Sequence, residues 1–452
     1  MNKLKLFTSG RLVLLVAVLL MTACRKDGFI PPPEGARVPE ADTVKVTLKE
    51  ALAASPSKLF YQAWQRSGMD ARLRALSDGK SMFTILAPAD AAMEGAGYSS
   101  QRIQEMDPKD LDSLLMFYTL RERITAAQLT DKPDNYIGIS LLGNPDWKVG
   151  RFITGTASTY ESDPYYYRQH LQVRDGKTWV NGKAAGNGRS VAAKDGYLWL
   201  LDRMIYQPRK NMLEVVEADG RFTLLLAILR YTDQQYNQIW KDATGNNHTG
   251  RNGTDKAFSK RFGWEVLPVP RLNQRSPNLF RNTLLLPTDE AFRNAGFNSL
   301  ADLQQFNIRR GLPRKITDRF GYPVMSGNFA TDTLLDYHIN WGNLLQGIKR
   351  DVSANTSTYS PFFYSNVMNN AVLGGYVVTG LSTYSNEEGL PDPNYYMPLD
   401  FSADASGRIQ IKVKGSDAPA ATVVDTDIYS IIGPIHAIDH LLAPVGFKIN
   451  QP

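Results

Sequence analysis

Four places in the chain combine residue types that could do chemistry. His436-Ala-Ile-Asp439-His440 sets two imidazoles four residues apart with a carboxylate between them, the helical spacing of a zinc pair. It lacks the glutamate of His-Glu-x-x-His, so no general base is in place for hydrolysis. Asp425-Thr-Asp427 places two carboxylates two residues apart, which a strand would turn to one face, toward a cation. Tyr337-His338 joins a phenol to an imidazole, a pair suited either to touch a ligand or to fix a helix to a sheet. Cys24 is the single cysteine, so it has no intramolecular disulfide partner. The sequence contains no Gly-x-Ser-x-Gly elbow, no Walker loop and no Cys/His metal framework. We therefore assign no catalytic residue and no metal ligand, and expect a protein that is not an enzyme and holds no cofactor.

Those residues need a scaffold, and length and composition say how large it is. At 452 residues the chain exceeds one ordinary domain. With 43% hydrophobic and 21% charged residues it can bury substantial cores. The formal charge of +6 includes Lys3, Lys5 and Arg11 at the start, and no dense basic stripe follows. Nucleic acid is therefore not an expected partner.

The first 23 residues read as an address. Three basic residues precede the apolar run Leu12–Met21, which is too short for the roughly 20 residues that span a bilayer. Leu20-Met-Thr-Ala-Cys24 resembles a bacterial lipobox. That resemblance implies cleavage before Cys24 and a covalent lipid on its sulfur, anchoring the protein to a membrane without a spanning helix. Arg25-Lys-Asp27 faintly resembles the surface-export signal of Bacteroidota lipoproteins, which implies the outer membrane, at its exposed or its periplasmic face. Residues 24–43, with Pro31-Pro-Pro33, form an extended tether.

The body repeats itself. Phe83-Thr-Ile-Leu-Ala-Pro-Ala-Asp-Ala-Ala-Met93 matches Asn282-Thr-Leu-Leu-Leu-Pro-Thr-Asp-Glu-Ala-Phe292. Leu114–Tyr118 matches Leu334–His338, and Gly196–Ile205 matches Gly433–Leu442, in the same order. Each first motif reads as a buried strand ended by proline and followed by a helix start. Thr288 suits a helix cap; Ala89 does not, so Asp90 is expected to cap the helix in the first copy. The third motif reads as a glycine turn, an apolar strand, a buried aspartate and a short helical turn. Thr47–Leu52 and Leu213–Ala218 look like opening helices.

These ordered pairs resemble the fasciclin (FAS1) family, whose pattern is a Thr-apolar-Pro-Thr-Asp/Asn-x-Ala-Phe segment, a central Tyr-His and a closing Gly-apolar-His-apolar-Ile-Asp segment. The second copy fits throughout; the first has Tyr118 and Trp199 where the pattern has histidine. The resemblance implies an α+β fold of two tandem domains, each a twisted sheet wedge with packed helices. We place them at residues 44–209 and 210–452. In animal relatives the Tyr-His segment is associated with integrin recognition, which makes Tyr337 and His338 a candidate contact; the alternative is that both are core.

Spacing between matched positions grows by 21 residues between the first and second motifs and by 17 more before the third, so the second copy carries insertions. Aromatic runs stand in both copies, at Tyr165-Tyr166-Tyr167 and at Phe362-Phe363-Tyr364. They suit sugar rings or protein partners if exposed, and ordinary packing if not. The resulting expectation is a lipid-anchored binding or adhesion protein that engages a glycan or protein ligand of polysaccharide, matrix or neighbouring cells. The alternative is an accessory subunit of a SusC/SusD-type nutrient-uptake complex with a TonB-dependent porin.

Overall fold

The computed structural model of the chain describes residues 44–77, 82–130, 132–152, 160–246, 264–265, 278–279, 283–339, 362–375, 377–379, 394–431 and 433–449. Cys24 and the leader lie outside them.

The first half opens with helices α1 (Leu48–Ala54), α2 (Lys58–Arg66) and α3 (Met69–Ser77) before strand β1 (Phe83–Pro88). Helices α4 (Asp90–Gly95), α5 (Ser100–Glu105) and α6 (Pro108–Tyr118) follow, then β2 (Thr119–Leu120) and α7 (Ala126–Thr130). The long strands β3 (Tyr136–Phe152) and β4 (Tyr160–Arg174) lead to β5 (Lys177–Val180), β6 (Lys183–Gly186), β7 (Ser190–Ala193) and β8 (Gly196–Leu201). The second half opens with α8 (Met212–Ala218) and α9 (Thr223–Thr244), then β9 (Trp264–Glu265), β10 (Asn278–Leu279) and β11 (Leu284–Pro287). Helices α10 (Asp289–Asn294) and α11 (Leu300–Arg310), the hairpin β12 (Arg314–Thr317) and β13 (Pro323–Ser326), and α12 (Ala330–Ile339) come next. Strands β14 (Val377–Thr379), β15 (Asn394–Tyr396), β16 (Leu399–Ala403), β17 (Ile409–Val413), β18 (Ala421–Tyr429) and β19 (Pro434–Ile438) complete an α+β molecule.

The larger sheet runs β6-β5-β4-β3-β2-β1-β8-β7, and the smaller runs β11-β19-β18-β17-β16. Each is built around one parallel pair, β1 with β8 and β11 with β19. Leu86 pairs with Trp199 in the first and Leu285 with His436 in the second, so the first and third motifs meet in the same register in both halves. Strands β1, β11 and β19 are buried at every position, which is why they read as largely apolar runs, and the polar residues among them, Thr84 and His436, must find partners inside. Gly196 has φ +152, and a Cβ there would lie 1.8 Å from the Phe83 carbonyl oxygen; only glycine lets β8 lie this close to β1.

Local signals explain the opening helices. Thr47 with Glu50 and Asn211 with Glu214 each close a reciprocal capping box. One apolar cluster then runs through both halves, from Leu48 and Phe60 to Phe292 and Ile435. A second cluster gathers Leu285, Phe363, Phe401 and Ile438. Leu284 and Leu286 belong to the first and Leu285 to the second, so β11 divides two cores, as alternate strand side chains must.

Two expectations are corrected. Asp202 is exposed, and no helical turn follows β8; the chain from 202 to 210 is irregular. The step of 21 residues between the first two motifs is largely the β12–β13 hairpin. Residues 311–329 join α11 to α12, where residues 106–107 suffice between α5 and α6.

Candidate functional site

The candidate histidines belong to a polar frame that both halves share. In the first half the Thr84 hydroxyl donates to the Glu122 carbonyl (2.7 Å) and accepts from Ile124 N–H (2.9 Å). Trp199 Nε1 donates to the Ile124 carbonyl (3.0 Å). In the second half Thr283 accepts from Phe363 N–H (3.0 Å), and His436 Nε2 lies 3.4 Å from the Phe363 carbonyl. Thr84 and Trp199 thus do the work of Thr283 and His436.

The central motif behaves alike. The Tyr118 hydroxyl accepts from Ile205 N–H (2.6 Å) and donates to the Ile205 carbonyl (2.7 Å). His338 Nε2 accepts from Leu442 N–H (2.9 Å), and Nδ1 donates to the Leu285 carbonyl (2.9 Å). Ile205 and Leu442 are themselves matched positions of the third motif. His338 is fully buried with both nitrogens engaged, and burial pushes its pKa down to about 4. It therefore fixes α12 to the sheet as a neutral imidazole, which withdraws it from ligand contact. Tyr337 is half-buried against the second core.

The acidic candidates also serve structure. Asp90 does not cap its own helix. Its carboxylate accepts from Leu59 N–H (2.7 Å) at the start of α2, whose preceding Ser57 makes no side-chain cap. Asp289 does the same for Leu224 N–H (2.8 Å) at the start of α9. Asp425 pairs with Arg221 (2.9 Å), whereas Asp427 is buried and accepts from Ser365 N–H (2.8 Å). Register shifts on β18 and a φ of 55° at Asp427 break the alternation that would have aimed both carboxylates one way. Burial depresses the pKa of His436 despite the Asp427 carboxylate 4.0 Å away, and His440 pairs with Asp439 (2.9 Å). No group of three or more His, Cys, Asp or Glu side chains among the described residues is placed to hold a metal ion.

The two aromatic runs, 197 residues apart in sequence, come together around one small cavity that Tyr165, Tyr167, Phe362 and Tyr364 line. His170 on β4 stacks on Phe362 (ring centroids 4.6 Å) and lies 5.1 Å from Tyr364. The Tyr165 hydroxyl donates to the Ile431 carbonyl (3.2 Å), and Tyr167 packs edge-on to Phe117. Tyr165, Tyr167, Phe363 and Tyr364 are buried; Tyr166 is half-buried under the Arg121 guanidinium. The rings form a seam between the halves rather than an open contact patch. Polar bonds flank it. Asn366 Nδ2 donates to Asn135 Oδ1 (2.6 Å) and Gln172 Oε1 (2.9 Å), and the Tyr429 hydroxyl to the Asn181 carbonyl (3.2 Å). Gly182 has φ +83, and a Cβ there would lie 2.4 Å from the Asp427 carboxylate, so the seam closes only over glycine. A cavity of about 30 Å³ remains among Arg168, His170, Phe362 and Tyr429. It has room for water and is an order of magnitude below the roughly 300 Å³ of a small-molecule pocket.

Sequence reasoning missed His170, Asn366, Tyr429 and Gly182. None has a matched position in a motif, and no local signal marks a residue whose partner lies in the other half.

No helix among the described residues is long and apolar enough to cross a membrane. No curated protein matches the chain. The chain is similar to a solved structure described as "Novel Fold Revealed by the Structure of a FAS1 Domain Pair from the Insect Cell Adhesion Molecule Fasciclin I". The two share 14% identity over 86% of this chain and 97% of that one, with a TM-score of 0.25. Residues 56–207 match the family model of the Fasciclin domain.

Proposed function

We propose that the protein is a non-enzymatic binding or adhesion protein, anchored at the outer membrane by lipid on Cys24. Its second half is a longer fasciclin-like domain that repeats the polar frame of the first. The observation that carries this reading is where apolar surface is left exposed. Of fourteen exposed large hydrophobic side chains among the described residues, five (Ile308, Leu312, Ile316, Phe320 and Tyr322) fall within fifteen residues of the second half. Concentrated exposure of this kind marks an interaction surface. The frame and seam hold that surface on a fixed body.

Binding of the mature protein to arrays of glycans and matrix proteins tests the reading; saturable binding to at least one is expected, and none would sink it. Cys24→Ser tests the anchor and is expected to move the protein from the membrane fraction to the aqueous phase. Detergent pull-down distinguishes the accessory-subunit alternative, which requires a TonB-dependent porin to co-purify.

A further inference from the structure

The hairpin β12–β13 is an addition to a scaffold that does without it, since α5 and α6 of the first half join directly. Two-stranded ribbons have little stability of their own in water, yet this one holds a defined tip. Asp318 Oδ1 accepts from Phe320 N–H (2.8 Å) and Tyr322 N–H (2.9 Å), and Asp318 N–H donates to the Tyr322 carbonyl (2.8 Å). The turn therefore presents Phe320 and Tyr322 outward at 68% and 67% exposure. The Arg319 guanidinium lies over the Phe320 ring, 4.7 Å from its centroid. Arg314 and Lys315 open β12 at the end of the ribbon away from the turn, on its two opposite faces. Among the described residues none of these three cations forms an ion pair. Asp318 is the ribbon's only carboxylate, and backbone N–H groups occupy it.

We infer that the tip of this hairpin binds an acidic polysaccharide bearing carboxylate or sulfate groups. The inference rests on the reading of the chain as a binding protein and names its ligand class. Sugar faces stack on Phe320 and Tyr322, while the polymer's anions meet Arg319 beside the rings and, further along the ribbon, Arg314 and Lys315. The Asp318 turn holds the rings in place before the ligand arrives, which reduces the ordering that binding requires. A bilayer fits less well. Inserting Phe320 would carry the guanidinium stacked on it toward the hydrocarbon, whereas a hydrated polyanion leaves it in water.

The test uses the full mature protein in affinity electrophoresis through alginate, dextran sulfate or neutral dextran, with co-sedimentation on anionic phosphatidylglycerol vesicles alongside. The wild type is expected to be retarded by the acidic polymers, less so as salt rises, and not by neutral dextran. Phe320→Ala/Tyr322→Ala and Arg314→Ala/Lys315→Ala/Arg319→Ala should each weaken binding about tenfold with unchanged melting curves. Asp318→Ala separates preorganisation from simple charge. It adds one net positive charge, so bulk electrostatics would tighten binding, whereas loosening the turn should weaken it about threefold. Unaltered binding by the hairpin variants, tighter binding by Asp318→Ala, or vesicle binding without polysaccharide binding would overturn the assignment. If the wild type binds no ligand of any class, the binding-protein reading itself fails. If it binds through residues other than these, only the hairpin assignment does.

Discussion

Tyr118 and His338 occupy the same place in the two halves and hold the same backbone position, yet one is a phenol and the other an imidazole. Trp199 and His436 form a second such pair, each reaching the backbone carbonyl that follows the strand threonine's partner. The comparison shows that the fold specifies a hydrogen-bonding duty at these points rather than a side chain. It also separates the halves electrostatically. Burial raises the pKa of Tyr118, which makes no difference in acid, whereas it lowers those of both histidines. At these matched positions, acid sensitivity belongs to the second half.

The largest effect that could break this equivalence is Trp199→Ala. It should cost about 3–5 kcal/mol in denaturant unfolding, because it leaves a large cavity as well as an unbonded carbonyl. A cost below that of His436→Ala would show that the two positions are not equivalent. Acid comes next. The His338 imidazole titrates at 6.5 unfolded and about 4 folded, so the unfolded chain binds the proton first. Its stabilising contribution is complete above pH 6.5 and declines as pH falls toward 4, by about 1.4 kcal/mol per unit. His436 acts in the same direction. Unfolding curves between pH 7 and 4.5 should show this slope, and His338→Gln should remove a share of it. Amide exchange should locate the loss near Leu442 and β11 rather than in the first half; uniform acid loosening would refute the distinction.

The helix-start aspartates sharpen the comparison at smaller scale. Asp90→Ala and Asp289→Ala should each cost about 1 kcal/mol, and similar values in the two halves are expected because each carboxylate caps the start of a preceding helix. The smallest effect marks where the halves diverge. Replacing residues 312–327 by a two-residue link should shift the melting temperature by no more than a few degrees, as the first half's direct α5–α6 connection implies. A collapse of folding would mean that the hairpin supports α9 and α11 and is more than an appended ribbon.

Much of the scaffold was legible because its causes are local. Thr47 with Glu50 is a capping box within four residues, and Phe83–Pro88 is an apolar run ended by a residue that cannot continue a ladder. The matched spacing even anticipated which residues of β1 and β8 would have counterparts in β11 and β19. Asp90 was harder. Its type and place suggested a cap, but the N–H it serves, that of Leu59, lies 31 residues earlier in the chain. The aromatic runs were visible as rings and uninterpretable as surfaces, since burial depends on what lies opposite.

The sequence by itself determined the duplicated strand–proline–helix order, the helix starts and the turn chemistry, because these depend on backbone preferences and hydrophobic period within a few residues. Tertiary structure alone decided that Tyr165 faces Ile431, that His170 stacks on Phe362, and that His338 has no free nitrogen. The physical reason is that burial and hydrogen-bond satisfaction belong to pairs of groups, and here the partners stand between 53 and 266 residues apart.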